Sequence, residues 1–431
     1  MYNYRSVKIA FTIFLSSVWV CSGGCGSKPL PGTPARAGGI PAVDSLIQQE
    51  TEAGHIPGAV VRIQQGDSIL HYQAYGYAQK YRYGLIPLDK PEPMTTEHLF
   101  DLASLTKVAA TTFGIMLLTD QGKLHPDDPI HTWLPEFAAG EKKKITVRHL
   151  LTHTAGLYQW YPLYYKASNK KERYRAMAAM PLKWPVGEGR HYSDFGFMLL
   201  DDIIERVADQ PLDEFLQEKL YRPLKMRHTA FNPLQKGFKK IAATSHGNPF
   251  EKRMVHDDSF GYTVDTDPAS WNGWRAYTLR GEVNDGNAWY ASGGVAGHAG
   301  LFSTAKDLQK LVTLLLNKGV SGGERFLSEA VVDTFLTPGR HGNALGWAMD
   351  KEFIAAEGTP EGTFGHTGFT GTSIVAIPEY NLSVILLTNR QNAGTQENGY
   401  YHNLRNLRQG IVDAVMDNRR TETGGRETGK P

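Results

Sequence analysis

Apolar and polar positions change period twice along the chain. Ala59 to Gln64 and Ser68 to Tyr77 are rich in β-branched and aromatic residues, with Gly66-Asp67 between them. Two such runs around a Gly-containing turn predict a β-hairpin. Near the other end, Thr372 to Ile377 and Leu382 to Thr388 repeat the pattern around Pro378-Glu379-Tyr380-Asn381. Between these pairs the period turns helical, at Leu105 to Gln121, Phe195 to Ala208 and Ala305 to Asn317, and a last amphipathic stretch spans Leu404 to Met416. Strands from both ends of a chain can share one antiparallel sheet with the helical middle packed against it. The pattern therefore predicts an α+β fold of two layers or more, with a helical subdomain over about 125–290.

The ends read differently. Arg5 and Lys8 precede an apolar stretch from Ile9 to Val20. That stretch is shorter than the ~20 residues of a comfortable membrane span and has the proportions of an export signal. It can be cleaved, kept as an anchor, or followed by lipidation at Cys25. The lack of an Ala-x-Ala-like site favours an anchor over residues 1–26, and each fate puts the body outside the cytoplasm. Residues 27–40 read as a Gly/Pro-rich flexible linker, 41–420 as the folded body, and 421–431 as a polar disordered tail.

Composition narrows the function classes. The 431 residues are 41% hydrophobic and 21% charged, as in a folded globular protein, and the net charge of +2 gives no basic face for nucleic acid. Lys142-Lys143-Lys144 reads as a solvated loop. The only cysteines are Cys21 and Cys25, so the body carries no disulfide and no Cys-ligated metal.

The chemistry starts at Ser104-Leu105-Thr106-Lys107, at the opening of a predicted helix. Residues three apart share a helix face, so Ser104 and Lys107 can meet. A serine hydroxyl needs a base, and a lysine serves if its environment lowers its pKa. Ser-x-x-Lys is short and a serine there is often only a cap. Two later motifs raise its weight: Tyr192-Ser193-Asp194 after a Pro/Gly turn, and His366-Thr367-Gly368 at the start of the first C-terminal strand. Tyr192 as a packed aromatic and His366 as a satisfied edge residue are the plainer readings of each alone. The order of all three is what carries the inference.

That order resembles the penicillin-recognising serine hydrolases, which include D-alanyl-D-alanine carboxypeptidases, class C β-lactamases and related esterases. The resemblance spans nearly the whole body. It takes in Gly58 to Val61, Ile145 to Leu157, Arg253 to Asp258, and the runs Gly281 to Ala288 and Gly293 to Thr304, which are similar to the penicillin-binding protein 4B subgroup. It implies a β-lactamase/transpeptidase-like fold in which Ser104 is acylated and Lys107 and Tyr192 share the proton transfers. The backbone N–H groups of Ser104 and Phe369 would form an oxyanion hole. His366, Thr367 and Gly368 would line the substrate. No metal or organic cofactor is implied. The implied partners are a peptidoglycan stem peptide or another small acyl substrate, β-lactams as acylating agents, and the inner membrane on its periplasmic side.

Asp194 stands where that family usually has Asn. A carboxylate there favours the ammonium form of Lys107 and shifts the burden of proton abstraction to Tyr192. His366 replaces the commoner Lys and is mostly neutral at neutral pH. Rival motifs fail on context. Gly319-Val320-Ser321-Gly322-Gly323 follows a helix rather than a strand, so it is no nucleophile elbow. The glycines of 293–300 lack dinucleotide-binding spacing, and the 15 histidines include no His-Glu-x-x-His. Trp271, Trp274, Trp289 and Tyr290 read as groove or core. The expected function is a serine D-alanyl-D-alanine carboxypeptidase. The alternatives are an esterase or weak β-lactamase on the same site, or a peptidoglycan-binding module without turnover.

Overall fold

The structure, a computed structural model, describes residues 39–260 and 264–427, with side chains as far as 421. The expected anchor over 1–26 and most of the expected linker lie outside the described residues. Among the described residues no helix is long and apolar enough to cross a membrane.

The strands in chain order are β1 (Gly58–Gln65), β2 (Ser68–Arg82), β3 (Ile86–Pro93), β4 (Phe100–Asp101), β5 (Ala230–Phe231), β6 (Leu301–Ser303), β7 (Val320–Ser321), β8 (Glu324–Arg325), β9 (Phe364–Gly368), β10 (Thr372–Ile377) and β11 (Leu382–Thr388). Six of them form one antiparallel sheet in the order β3-β2-β1-β11-β10-β9. The N-terminal hairpin joins the C-terminal one through β1 and β11, with Ala59 opposite Thr388 and Ile63 opposite Val384. The sequence thus predicts the central four strands and their joining.

The helices that matter here are α1 (Pro41–Glu52), α2 (Thr112–Asp120), α3 (Asp194–Ala208), α4 (Gly286–Ser292), α5 (Ala305–Leu316) and α6 (Arg405–Glu427). Successive side chains of a strand face opposite sides. On one face of the sheet Ala59, Val61, Ile63, Val384 and Leu386 pack with Val43 and Ile47 of α1 and Leu407, Ile411 and Val415 of α6. On the other, Val60, Ile385 and Leu387 join the larger core that includes α2, α3 and α5. Burial on both faces explains why these strands read as continuous apolar runs rather than alternating ones. The architecture is helix, sheet, helix.

Four details correct the sequence reading. Strand β3, Ile-Pro-Leu-Asp-Lys-Pro-Glu-Pro, was not expected; prolines remove ladder donors, and it survives because it is an edge strand. His366 does not start the strand at Thr372 but lies in its own strand β9, the opposite edge. Ile40, placed in the linker, is buried, and its N–H is donated to His71 Nδ1 at 3.1 Å. Helix α6 runs past Met416 to Glu427, into the expected tail, because each added residue of an anchored helix gains a hydrogen bond.

A smaller sheet, β4-β6-β5, positions the site. Pairing of Phe100–Asp101 with Phe302–Ser303 sets the Ser104 turn beside the 293–300 segment. That segment docks on the helix carrying Lys107: Thr111 Oγ1 donates to the Gly297 carbonyl at 2.6 Å. A Cβ on Gly297 would lie 2.2 Å from the Phe197 carbonyl oxygen and 2.8 Å from Asp201 Cβ. Gly297→Ala is therefore expected to destabilise the fold by ~1–3 kcal/mol through overpacking, measured by urea denaturation. An unchanged midpoint would contradict this packing.

Candidate active site

Ser104 does not sit on a regular α-helix. Ala103 has φ +44°, a left-handed conformation unusual for alanine, and Asp101 Oδ1 holds it by accepting the Ala103 N–H at 2.9 Å. Tight turns follow, with the N–H of Lys107 bonded to the Ser104 carbonyl, then a π-helical turn over Lys107–Thr111 before α2 begins. The expected helix Leu105 to Gln121 is thus replaced at its start by a strained turn and a wide coil. Strain and π-turns of this kind concentrate at functional sites.

The turn brings Ser104 and Lys107 together as the spacing predicts. Lys107 Nζ donates to Ser104 Oγ at 2.9 Å, to Asp194 Oδ1 at 2.7 Å and to the His298 carbonyl at 3.3 Å. Its side chain is fully buried, while that of Asp194 is 18% exposed. Burial alone would lower the Lys107 pKa. The Asp194 carboxylate, helped by Tyr192, outweighs burial and raises it above the ordinary 10.5. An ammonium buried without a partner would cost several kcal/mol, so Asp194 is what makes a charged Lys107 tolerable here.

Asp194 is the first residue of α3. Ser193 caps the helix, accepting the Gly196 N–H, and donates to the Tyr158 carbonyl at 2.6 Å. Tyr192 precedes it, with its ring centroid 4.9 Å from Lys107 Nζ and 4.4 Å from the His153 ring. Tyr192, Asp194 and Ser104 line one cavity of about 300 Å³ together with Phe369. Among the described residues neither the Ser104 N–H nor the Phe369 N–H donates to another group. Two free N–H groups beside a nucleophile can hold a developing oxyanion.

His366 lies 6.0 Å from the Tyr192 ring, ring to ring, and its Nδ1 donates to the Thr367 carbonyl at 2.8 Å. Burial, then the charge of Lys107, pushes its pKa down to about 3. His153 is likewise held well below its ordinary range by burial and Lys107. His366 therefore supplies no positive charge at neutral pH. The sign of the stability effect follows: a depressed folded pKa gives stability that is full above the unfolded value of 6.5 and is lost as pH falls towards 3. The urea midpoint is expected to fall between pH 6.5 and pH 4, and His366→Gln to flatten that fall. Equal slopes in the two proteins would contradict a neutral buried His366.

Sequence reasoning missed the far wall of the cavity. Asp285 and His298 lie in the family-like runs but were given no role. His298 Nε2 contacts Asp285 Oδ1 at 2.9 Å, and both line the cavity with Asn248, Glu251 and Asn284. Polar atoms of Asp194, Asp285 and His298 lie within 4.8 Å of one another, but Asp194 already holds the Lys107 ammonium. Burial, then the charge of Asp285, raises Glu251 to about 8. The remaining wall is aromatic: Trp160, Phe250, Phe369 and Tyr401. Trp271, Trp274 and Tyr290 instead pack against Tyr164, outside the cavity. Ser321 of the Gly-x-Ser-x-Gly stretch sits in the β7–β8 hairpin, far in structural type from an elbow.

The sequence pattern of the family described as Beta-lactamase matches residues 43–407. The chain belongs to this family, as a serine hydrolase of the β-lactamase and penicillin-binding protein fold. It is similar to the N-acetylmuramyl-L-alanine amidase of Bacillus subtilis (strain 168), 36% identical over 368 residues, covering 81% of this chain and 80% of that one. It is also similar to an Escherichia coli (strain K12) protein named "Putative D-alanyl-D-alanine carboxypeptidase", 34% identical over 372 residues and covering 81% of each chain. A solved class C beta-lactamase superposes with a TM-score of 0.63 at 17% identity, over 88% of this chain and 97% of that one, which shows the shared fold.

Proposed function

We propose that the protein hydrolyses an amide bond in peptidoglycan-derived peptides through an acyl-enzyme on Ser104, acting as a D-alanyl-D-alanine carboxypeptidase. The observation that carries this is the Ser104–Lys107–Asp194 chain, at 2.9 and 2.7 Å, opening into one cavity with Tyr192. Ser104 Oγ attacks the carbonyl carbon, and the N–H groups of Ser104 and Phe369 receive the oxyanion. Lys107 is held as an ammonium and so cannot take the serine proton; Tyr192 takes it, while the ammonium stabilises the charge left on oxygen. The same proton passes to the leaving nitrogen as the C–N bond breaks. Water then attacks the Ser104 ester, Tyr192 takes the proton that the water loses, and it passes that proton to Ser104 Oγ as the acyl C–O bond breaks and the carboxylic acid is released. β-Lactams fit as amides that acylate Ser104 in the same way. Nothing in these steps calls on a metal or organic cofactor.

A second reading concerns which amide is cut. The cavity joins aromatic walls to amide and carboxyl side chains, and among the described residues no lysine or arginine lines it. Aromatic faces beside amide and carboxylate groups suit a sugar better than a substrate carboxylate, which the wall carboxylates would repel. That favours cleavage between a muramyl group and L-alanine, the bond in the name of the Bacillus relative. A disaccharide pentapeptide separates the readings. Release of D-alanine supports the first, release of the intact pentapeptide supports the second, and binding without either product would support the non-catalytic module. Faster turnover of simple esters than of both amides would support the esterase reading. We also propose that the apolar Ile9–Val20 stretch holds the domain at the inner membrane on its periplasmic side. Loss of the membrane-bound fraction on deleting residues 1–26 tests this.

A further inference from the structure

Away from the cavity, two histidines from opposite ends of the chain meet on one carboxylate. Glu50 lies in the last turn of α1, His55 just beyond the end of that helix, and His402 just before α6. Glu50 Oε2 is 2.9 Å from His55 Nδ1 and 3.1 Å from His402 Nε2. The two imidazoles are stacked, with ring centres 3.7 Å apart and planes 11° from parallel, so their nitrogen edges face the carboxylate side by side. One donor atom from each of the three residues lies within 4.8 Å of the other two. None of the three lines the Ser104 cavity. The His55 side chain is 39% exposed and those of Glu50 and His402 are each 21% exposed. The cluster is therefore open to solvent on one side, and the His55 ring has room to tilt.

Two imidazoles and one carboxylate are a donor set for a first-row divalent ion such as zinc. Around zinc, donors at ~2.0–2.2 Å stand roughly 3.3–3.5 Å apart in a tetrahedron, so the two Glu50 contacts need to open only slightly. The helix favours the same charge. The last turn of α1 holds Glu50 and Glu52 and no basic side chain, so nothing there offsets the negative end of the helix dipole. The Glu50 carbonyl also accepts the His55 N–H at 3.0 Å, which fixes the turn that carries His55. We propose that Glu50, His55 and His402 bind a divalent cation of the zinc class, with a remaining position left to water. The site is separate from the hydrolase reading, none of whose steps needs this ion. Its effect is to tie α1 to the segment before α6. His402 follows Tyr401, which forms part of the cavity wall, and the His402 carbonyl accepts Arg390 Nη1 at 2.8 Å. A bound ion therefore braces that wall from behind.

The test is calorimetric titration of the full chain, stripped with a chelator, with Zn²⁺. The wild-type protein is expected to take up one zinc ion per chain, and its Tm to rise by ~3 °C at a hundredfold excess of free zinc over Kd. His55→Gln and His402→Gln are each expected to weaken binding by more than ~100-fold, since losing a ligand costs more than losing a group behind one. Asp285→Asn, in the carboxylate and histidine cluster of the cavity, should leave zinc binding unchanged. Zinc that stays bound in both histidine variants, whether at Cys21 and Cys25 or in the cavity, would overturn the proposal, as would a wild-type protein that takes up none. Zinc-edge anomalous diffraction from wild-type crystals makes the test independent of how the variants fold. A peak between Glu50 Oε2, His55 Nδ1 and His402 Nε2 is expected, and peaks only elsewhere would contradict the assignment.

Discussion

Replacing Ser104 by alanine is expected to lower kcat/KM by ~10⁴-fold or more while leaving the folded state intact. The loss is large because Lys107 Nζ donates to Ser104 Oγ at 2.9 Å, and Ser104 lines the same cavity as Phe369, whose N–H is free like its own. The fold should survive because Oγ is not used to hold any element together. The residual rate belongs to Tyr192, the N–H pair and the cavity acting on water. Steady-state kinetics on an activated ester, with circular dichroism as the control for folding, checks both halves. A residual rate within tenfold of wild type would mean that another group is the nucleophile.

The second large effect is expected at Asp194. Removing its charge in Asp194→Asn leaves Lys107 fully buried with no carboxylate partner, and burial then drives its pKa down from its raised value. The ammonium that stabilises the charge on Ser104 is lost over part of the working range. We expect kcat/KM at neutral pH to fall by ~10²-fold, the scale of one proton-handling group. The alkaline limb of the pH–rate profile should move to lower pH as Lys107 deprotonates more easily. An unmoved alkaline limb would remove Asp194 from the mechanism. Stability is linked in the same direction. A raised Lys107 pKa contributes stability below the unfolded value of 10.5 that is lost as pH rises through the folded value, and Asp194→Asn should remove this alkaline loss.

Much of this site was legible before any coordinates. Ser104 and Lys107 are three residues apart, so local geometry alone brings them together. Tyr192 and His366 could be placed by order along the chain, though not by contact. The substitution of Asp for Asn at 194 announced the contact of its carboxylate with Lys107 Nζ, at 2.7 Å. What the sequence could not reveal depends on long-range packing. Whether the spacing at 104–107 is built on a helix or on a strained turn is decided by Asp101 and the Leu102 region, held by β6 and not by local propensity. The roles of Asp285 and His298 are set by the docking of 293–300 on the helix of Lys107, through contacts such as Thr111 to Gly297 that span 186 residues. The sheet shows the same division. Strands β1, β10 and β11 are buried on both faces and β2 is joined to β1 by the Gly66-Asp67 turn, so all four could be read directly, whereas the two edges, β3 and β9, carry proline, glycine and polar residues and were hidden by them.

The most direct test of the central claim, that Ser104 becomes acylated, is peptide mass spectrometry after brief incubation with a labelled penicillin or a slowly hydrolysed ester, followed by acid quenching. The account predicts one acyl group on the peptide containing Ser104, formed in the wild-type protein and absent from Ser104→Ala. An adduct that maps to another residue, or that persists in Ser104→Ala, would contradict it.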